Sequence, residues 1–254
     1  MKRSLIGWIA LAVVAVAGSA FAWLWFAGGS GEPSTELTTP TIATTSTVVT
    51  TSTSQATSDA TVTTVAATTA PSVGGAFVIE PGGLSIASFT IDEEFRGTPQ
   101  KVVGTTAEVA GQVQVDTDDL STVRFSDIVI NARTFRTDSD RRDRAMRGPV
   151  ILNSASDEFE FITFSVTAID GLTGSLAVGE SVQFDVSGDL TIKGTTGPVT
   201  FNVQATLDDP NTIEGSATTQ VLRSDFEIGI PSVPGIANVS DQVTLTLDFV
   251  AVSG

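Results

Sequence analysis

The sequence predicts one all-β domain of about eight antiparallel strands with one short helix, set behind a membrane-spanning segment and a disordered linker. Apolar and polar residues alternate with period two from Ala76 to Gly254, the mark of strands with one buried face. A charge-free apolar run from Leu5 to Ala27 follows Lys2 and Arg3. Between these regions, residues 28–75 are dominated by Thr and Ser and contain no Lys or Arg.

Residues 1–27 read as an anchor. At about 1.5 Å per residue the run spans a hydrocarbon core of about 30 Å, and it exceeds the roughly 7–15 apolar residues of a secretory signal. Trp23, Trp25 and Phe26 cluster at its outer end, where amphipathic rings favour the headgroup zone. Lys2 and Arg3 stay cytoplasmic and send the rest of the chain outward. The alternative is a signal peptide cleaved after Ala20-Phe21-Ala22, which would leave Trp23-Leu24-Trp25-Phe26 exposed. Residues 28–75 cannot bury enough apolar surface to offset their ordering entropy. They read as a flexible stalk with an end-to-end distance on the order of 40 Å, either O-glycosylated or a plain spacer.

The folded domain is 76–254. Phe77 and Ile79 open it, and Leu84, Ile86, Phe89 and Ile91 follow a Pro-Gly-Gly break. Val109, Gly111, Val113 and Val115 share one side of the next strand. Val123 and Phe125 precede Ile128 and Ile130 with a phase change near Asp127, and Phe159 and Phe161 precede Phe164, Val166 and Ala168 with a slip at Ile162. Such slips predict β-bulges, which bend strands as a closing barrel requires. Val182–Val186, Val199–Leu207, Ile213–Val221 and Val243–Ala251 alternate in turn. Residues 138–147, acidic at the start and rich in Arg at the end, complement a helix dipole, and Gly148-Pro149 stops the helix. The pattern fits a closed barrel or a sandwich. Gly111, Gly215 and Ala217 at inward positions suggest an interior that is not packed solid.

Composition narrows the chemistry. The net charge is −16 with 17% of residues charged, whereas nucleic-acid binding needs a basic face. There is no Cys, His or Tyr, which removes disulfides, thiolate zinc sites and the commonest general base and metal ligand. No metal or catalytic site is predicted. Asp189 and Asp225 are the only carboxylate candidates for acid–base work, each in a segment that reads as structural. Asp116-Thr117-Asp118-Asp119 lacks the Gly and distal Glu of a calcium loop and reads as a turn. Asn238-Val239-Ser240 fits a glycosylation sequon. Arg133, Arg136, Arg141, Arg142, Arg144 and Arg147 cluster around the predicted helix. They are either a solvated face paired with neighbouring Asp or a cationic collar for a headgroup or an anionic membrane surface.

A set of motifs spans nearly all of the domain. They are Phe77-Val78-Ile79-Glu80-Pro81, Thr137-Asp138 through Met146-Arg147, Phe161-Ile162-Thr163-Phe164, Gly188-Asp189-Leu190-Thr191-Ile192-Lys193-Gly194, Arg223-Ser224-Asp225-Phe226, Ile228-Gly229-Ile230-Pro231 and Val239-Ser240-Asp241-Gln242-Val243. Together they resemble the YceI-like family of lipid-binding, lipocalin-like barrels. The chain departs from the family pattern in lacking a His after the second strand, in Phe161 where Pro is common, and in Glu227 where Gly is common. The resemblance implies a closed antiparallel barrel with an apolar lumen. It also implies an envelope or periplasmic protein of the kind that, in some members, holds a long isoprenoid chain or isoprenoid quinone; with no His, Cys or Gly-x-Ser-x-Gly elbow, no catalysis and no cofactor are expected. Phe125, Phe164, Phe184, Phe201 and Phe249 are the expected lining, and Arg133, Arg136, Arg142 and Arg147 the expected headgroup or membrane-surface contacts. The expected partners are a long-chain lipid and, through the N-terminal helix, the cell membrane, with the domain outside the cytoplasm. A structural or adhesion barrel with a filled core is the alternative; a carboxylate-based hydrolase or isomerase is a third.

Overall fold

The computed structural model describes residues 37–42 and 74–254. The predicted anchor and most of the predicted stalk lie outside the described residues. Among the described residues no helix is long and apolar enough to cross a membrane. Within the predicted stalk, residues 37–42 lie against the domain, where Ile42 N–H donates to Gln112 Oε1 at 2.9 Å.

The strands are β1 (Gly74–Ile79), β2 (Ile86–Phe95), β3 (Thr98–Thr106), β4 (Val109–Asp116), β5 (Arg124–Phe125), β6 (Ile128–Asn131), β7 (Phe161–Asp170), β8 (Ser181–Ile192), β9 (Thr195–Asp209), β10 (Thr212–Leu222), β11 (Ile236–Ala237) and β12 (Gln242–Ser253). All pairings are antiparallel, and β1 pairs with both β4 and β12, so the sheet closes on itself. β1 runs on into β2, β3 into β4 and β5 into β6 as interrupted staves, which makes an eight-strand barrel; β11 is a two-residue addition to the end of β2. Among the described residues, closure leaves an unpaired edge only on the short β5 and β11 and along β3, whose far side makes the single bridge Thr105–Arg136.

Local chemistry sets the corners. The β2–β3 hairpin turns on Arg96-Gly97 and the β8–β9 hairpin on Lys193-Gly194, with all four residues at positive φ, the twist that matches two-residue hairpins. The predicted phase change near Asp127 appears as a one-residue register shift of β4 between β5 and β6. The slip expected at Ile162 does not occur. Phe161–Phe164 pair with β6 in continuous register, and the bulge sits at Thr167, between Val166 and Ala168. Phe159 precedes β7 in a short 3-10 turn, so it never belonged to the strand's period.

The helix α1 (Asp140–Arg147) has Asp140 and Asp143 in its first turn and Arg144 and Arg147 in its last. Asp143 is buried, and its Oδ1 accepts from Thr137 N–H at 2.8 Å and Thr137 Oγ1 at 2.7 Å. That contact ties the helix to the strand segment that precedes it. At one end of the barrel, Leu120 N–H donates to Gly174 O and Leu176 N–H to Thr117 O. These bonds knit two loops into a floor whose Leu120, Val123, Leu172 and Leu176 are buried. β1 begins at this end, since Gly74 pairs with Asp116. The opposite end is overhung by α1 and by residues 228–239.

Candidate functional site

Alternation puts one row of each stave inside the barrel. From β8 these are Val182, Phe184, Val186, Leu190 and Ile192; from β12, Val243, Leu245, Leu247, Phe249 and Ala251. Yet the interior is not filled. The walls enclose a cavity of about 670 Å³ that every stave lines, within the roughly 300–1,000 Å³ typical of small-molecule sites. Gly111 and Gly215 do not make this space. Ile128 occupies the place where a Cβ on Gly111 would stand, and the Gln204 carbonyl oxygen and the Phe249 ring crowd that of Gly215. Ala217 does line the cavity. Phe89 similarly fills the space opposite its cross-strand partner Gly104.

All five Phe residues expected at the lining, Phe125, Phe164, Phe184, Phe201 and Phe249, stand on the cavity wall. Phe164 and Phe201 meet edge to face with ring centres 5.0 Å apart, a favourable aromatic geometry.

The four expected Arg contacts separate. Arg133 is buried, with Nη1 3.2 Å from the equally buried Glu160 and Nη2 on Asp157. Asn131 Nδ2 donates to Glu160 Oε1 at 3.0 Å in the same network. This corrects the surface role expected of Arg133: it is a structural cation under the helix, off the cavity wall. Arg136 is exposed and lies outside the lining. Arg147 donates to Arg133 O and is also outside the lining. Burial first, then the neighbouring Arg136, hold its guanidinium below the ordinary value. Arg142 is the one of the four on the wall, with Nη1 on Asp138 and Nη2 3.2 Å from Glu93 Oε1. Helix periodicity separates Arg142 from Arg147, because Arg141, Arg142, Ala145 and Met146 share the face of α1 toward the lumen and Arg144 and Arg147 do not.

Polar groups gather at one end. Glu93, Gln100, Asp138, Ser139, Arg141, Arg142 and Arg223 line the cavity beneath α1. At the same end Ile230, Pro231, Val233, Pro234 and Ile236 form an apolar overhang that joins β2 through the Ile236–Phe95 pairing. Lining residues that are also exposed, Phe95, Asp138, Arg141 and Pro234, lie here, so this is the open end. The sealed end presents Leu120, Leu172 and Leu176 to the same cavity. Glu93 and Gln100 had escaped the sequence reading, although Glu93 continues the inward row of Ala87, Phe89 and Ile91.

The remaining candidates carry no chemistry at the lumen. Asp189 and Asp225 are exposed on separate elements. In the Asp116–Asp119 turn, Asp116 Oδ1 accepts from Asp118 N–H and Asp119 Oδ1 from Ser121 N–H. Among the described residues no cluster of carboxylates could hold a metal ion.

Solved structures share this architecture. A polyisoprenoid binding domain from Saccharophagus degradans, implicated in plant cell wall breakdown, superposes with a TM-score of 0.53 over 71% of this chain and 99% of that one, at 15% identity. BcnA of Burkholderia cenocepacia superposes with a TM-score of 0.50 over 65% of this chain and 95% of that one, at 20% identity. At these identities the likeness is one of fold. A UPF0312 protein of Staphylococcus aureus (strain bovine RF122 / ET3-1) is 29% identical over 122 residues, 48% of this chain and 63% of that protein. The chain thus spans less than two thirds of that relative. The model of the YceI-like domain matches residues 39–251, most of the sequence, and the chain belongs to the YceI-like family.

Proposed function

We propose that the protein binds a long-chain, isoprenoid-type lipid in the barrel lumen and sequesters or carries it outside the cytoplasm. The observation that carries this reading is the cavity itself: about 670 Å³, largely apolar along its length, with its charged side chains all at one end. Its shape suits a ligand with an apolar tail and one polar head. Each buried CH₂ contributes about 0.8 kcal/mol, so ten carbons in the lumen would supply about 8 kcal/mol before ordering costs. The structural likeness to a polyisoprenoid binding domain supports an isoprenoid over other chains. The role is binding, not catalysis. The segment 1–27 would hold the domain at the membrane that supplies its ligand and raise the effective concentration of both. Arg142, held between Glu93 and Asp138, stands at the end of the lumen where the headgroup would sit.

The test is native purification of the full chain from membranes, followed by lipid mass spectrometry. A long-chain lipid at near one per protein is expected, and its mass names the class. A barrel that stays empty after incubation with polyprenyl lipids and isoprenoid quinones would overturn the reading. Phe184→Trp combined with Phe201→Trp should fill the lumen and lower lipid occupancy at least fivefold.

A further inference from the structure

On β2, Ala87, Phe89, Ile91, Glu93 and Phe95 occupy alternate positions and all line the cavity. The row is apolar except for Glu93, which is 8% exposed. A carboxylate in that row is costly unless its oxygens are satisfied. One oxygen is: Oε1 accepts from Gln100 Nε2 at 2.6 Å and from Arg142 Nη2 at 3.2 Å. Among the described residues, no donor reaches Oε2.

The cations beside it are already engaged. Arg142 is shared between Glu93 and Asp138. Arg223 donates to Ser240 O at 3.1 Å and Ile228 O at 2.9 Å, and lies 3.6 Å from Asp241. Arg141 is the lining cation without a carboxylate partner among the described residues, and it is exposed at the rim. A headgroup at the top of the lumen therefore meets an acceptor first.

We infer that the polar end selects an uncharged headgroup carrying a hydroxyl, an alcohol or a quinol, over a phosphate, with Glu93 Oε2 as the acceptor that makes the distinction. The inference rests on the lumen reading above. A hydroxyl donates to Oε2 and completes the hydrogen bonding of the buried carboxylate. A phosphate brings like charge against it and offers no donor in its ionised form. To reach Arg141 instead, a phosphate would sit at the rim and draw its chain part-way out of the lumen.

The test compares three probes with one chain, geranylgeraniol, its methyl ether and geranylgeranyl monophosphate, each titrated against the full-length protein by displacement of an uncharged fluorescent fatty-alcohol probe from the lumen. The alcohol should bind at least tenfold tighter than the monophosphate and at least fivefold tighter than the ether. Glu93→Gln keeps the shape and removes the charge, and should shrink the alcohol-to-phosphate ratio at least fivefold. Equal binding of alcohol and phosphate by the wild-type chain would overturn the headgroup rule and leave the lumen reading intact. So would an unchanged ratio in E93Q. Failure of all three probes to displace the fluorophore would overturn the lumen reading and this inference with it. The wild-type ratios decide the matter even if E93Q does not fold.

Discussion

The sealed and open ends of the barrel are built from different materials. At the sealed end Leu120, Val123, Leu172 and Leu176 belong to one buried apolar cluster, and left-handed backbone falls on Gly171, Gly174 and Gly179. At the open end left-handed backbone falls on Arg96, Asn153, Lys193, Glu227 and Asn238 as well as on glycines. A side chain at such a φ costs roughly 1–2 kcal/mol. The buried Arg133–Glu160 pair and the lumen carboxylate Glu93 lie at this end too. Charge burial and backbone strain therefore concentrate where the cavity opens, the usual place for them in a binding protein. The floor is ordinary core. On the proposed reading the tail points to the leucines and the head stays with the charges.

The largest effect should come from breaking the open end's ion pair. Arg133→Leu strands Glu160, 4% exposed, without its cation. Removing one member of a buried pair costs about 3–5 kcal/mol. Denaturant unfolding should show that loss, and the double variant Arg133→Leu with Glu160→Leu should recover most of it. Loss of less than 1 kcal/mol would mean that the network stabilises little. At the sealed end the expected penalty has another origin. Leu120→Ala leaves a cavity next to the lumen and should cost about 3 kcal/mol, with no change in which headgroup the protein prefers. A change in preference would show that the two ends are not independent.

Sequence reading found the walls of the barrel more easily than either of its ends, for physical reasons. The staves that face the lumen with Val, Leu and Phe announce themselves by period two. β3 does not, because its inward row is Gln100, Val102, Gly104 and Thr106, with one large apolar side chain among four. It therefore went unnoticed, and Gln100 with it. Glu93 keeps the phase of Phe89 and Ile91, but a lone charge in a strand reads as a solvent position unless the phase is followed through it. The Arg residues were visible as a cluster. Their sorting was not, because Ser154, Asp157 and Glu160, which claim Arg133, lie more than twenty residues away and reach it only once the barrel closes. The family resemblance added a clue whose meaning only the backbone supplies: Glu227, where Gly is common, has φ of 54°.

That position offers the next test of the contrast between ends. Glu227→Gly relieves a left-handed side chain and gives back part of the gain as unfolded-chain entropy. A net stabilisation of about 1 kcal/mol is expected. Gly171→Ala at the sealed end, where φ is 85°, should move stability the other way by a similar amount. If both changes were neutral, strain would not distinguish the ends.

The smallest effect expected is electrostatic. Asp241 Oδ2 accepts from Ser224 Oγ at 2.6 Å and Oδ1 from Ser224 N–H at 3.1 Å. The Ser224 hydroxyl first, then its N–H and Arg223, hold the carboxyl below its ordinary value, against a smaller opposing effect of burial. A carboxyl depressed in the folded state adds stability that is fully present above its unfolded pKa, about 3.9, and is lost as pH falls through the lower folded value. Asp241→Asn should therefore shift the urea midpoint down by a constant amount from pH 7 to pH 5. The gap should close as pH falls below about 4 and wild-type Asp241 protonates. Exposure keeps the gap small, and added salt should narrow the part that comes from Arg223. A gap of equal size at pH 2 would assign the effect to shape rather than charge. Arg223 lines the open end, so the charged form of Asp241 would then have no part in holding that rim.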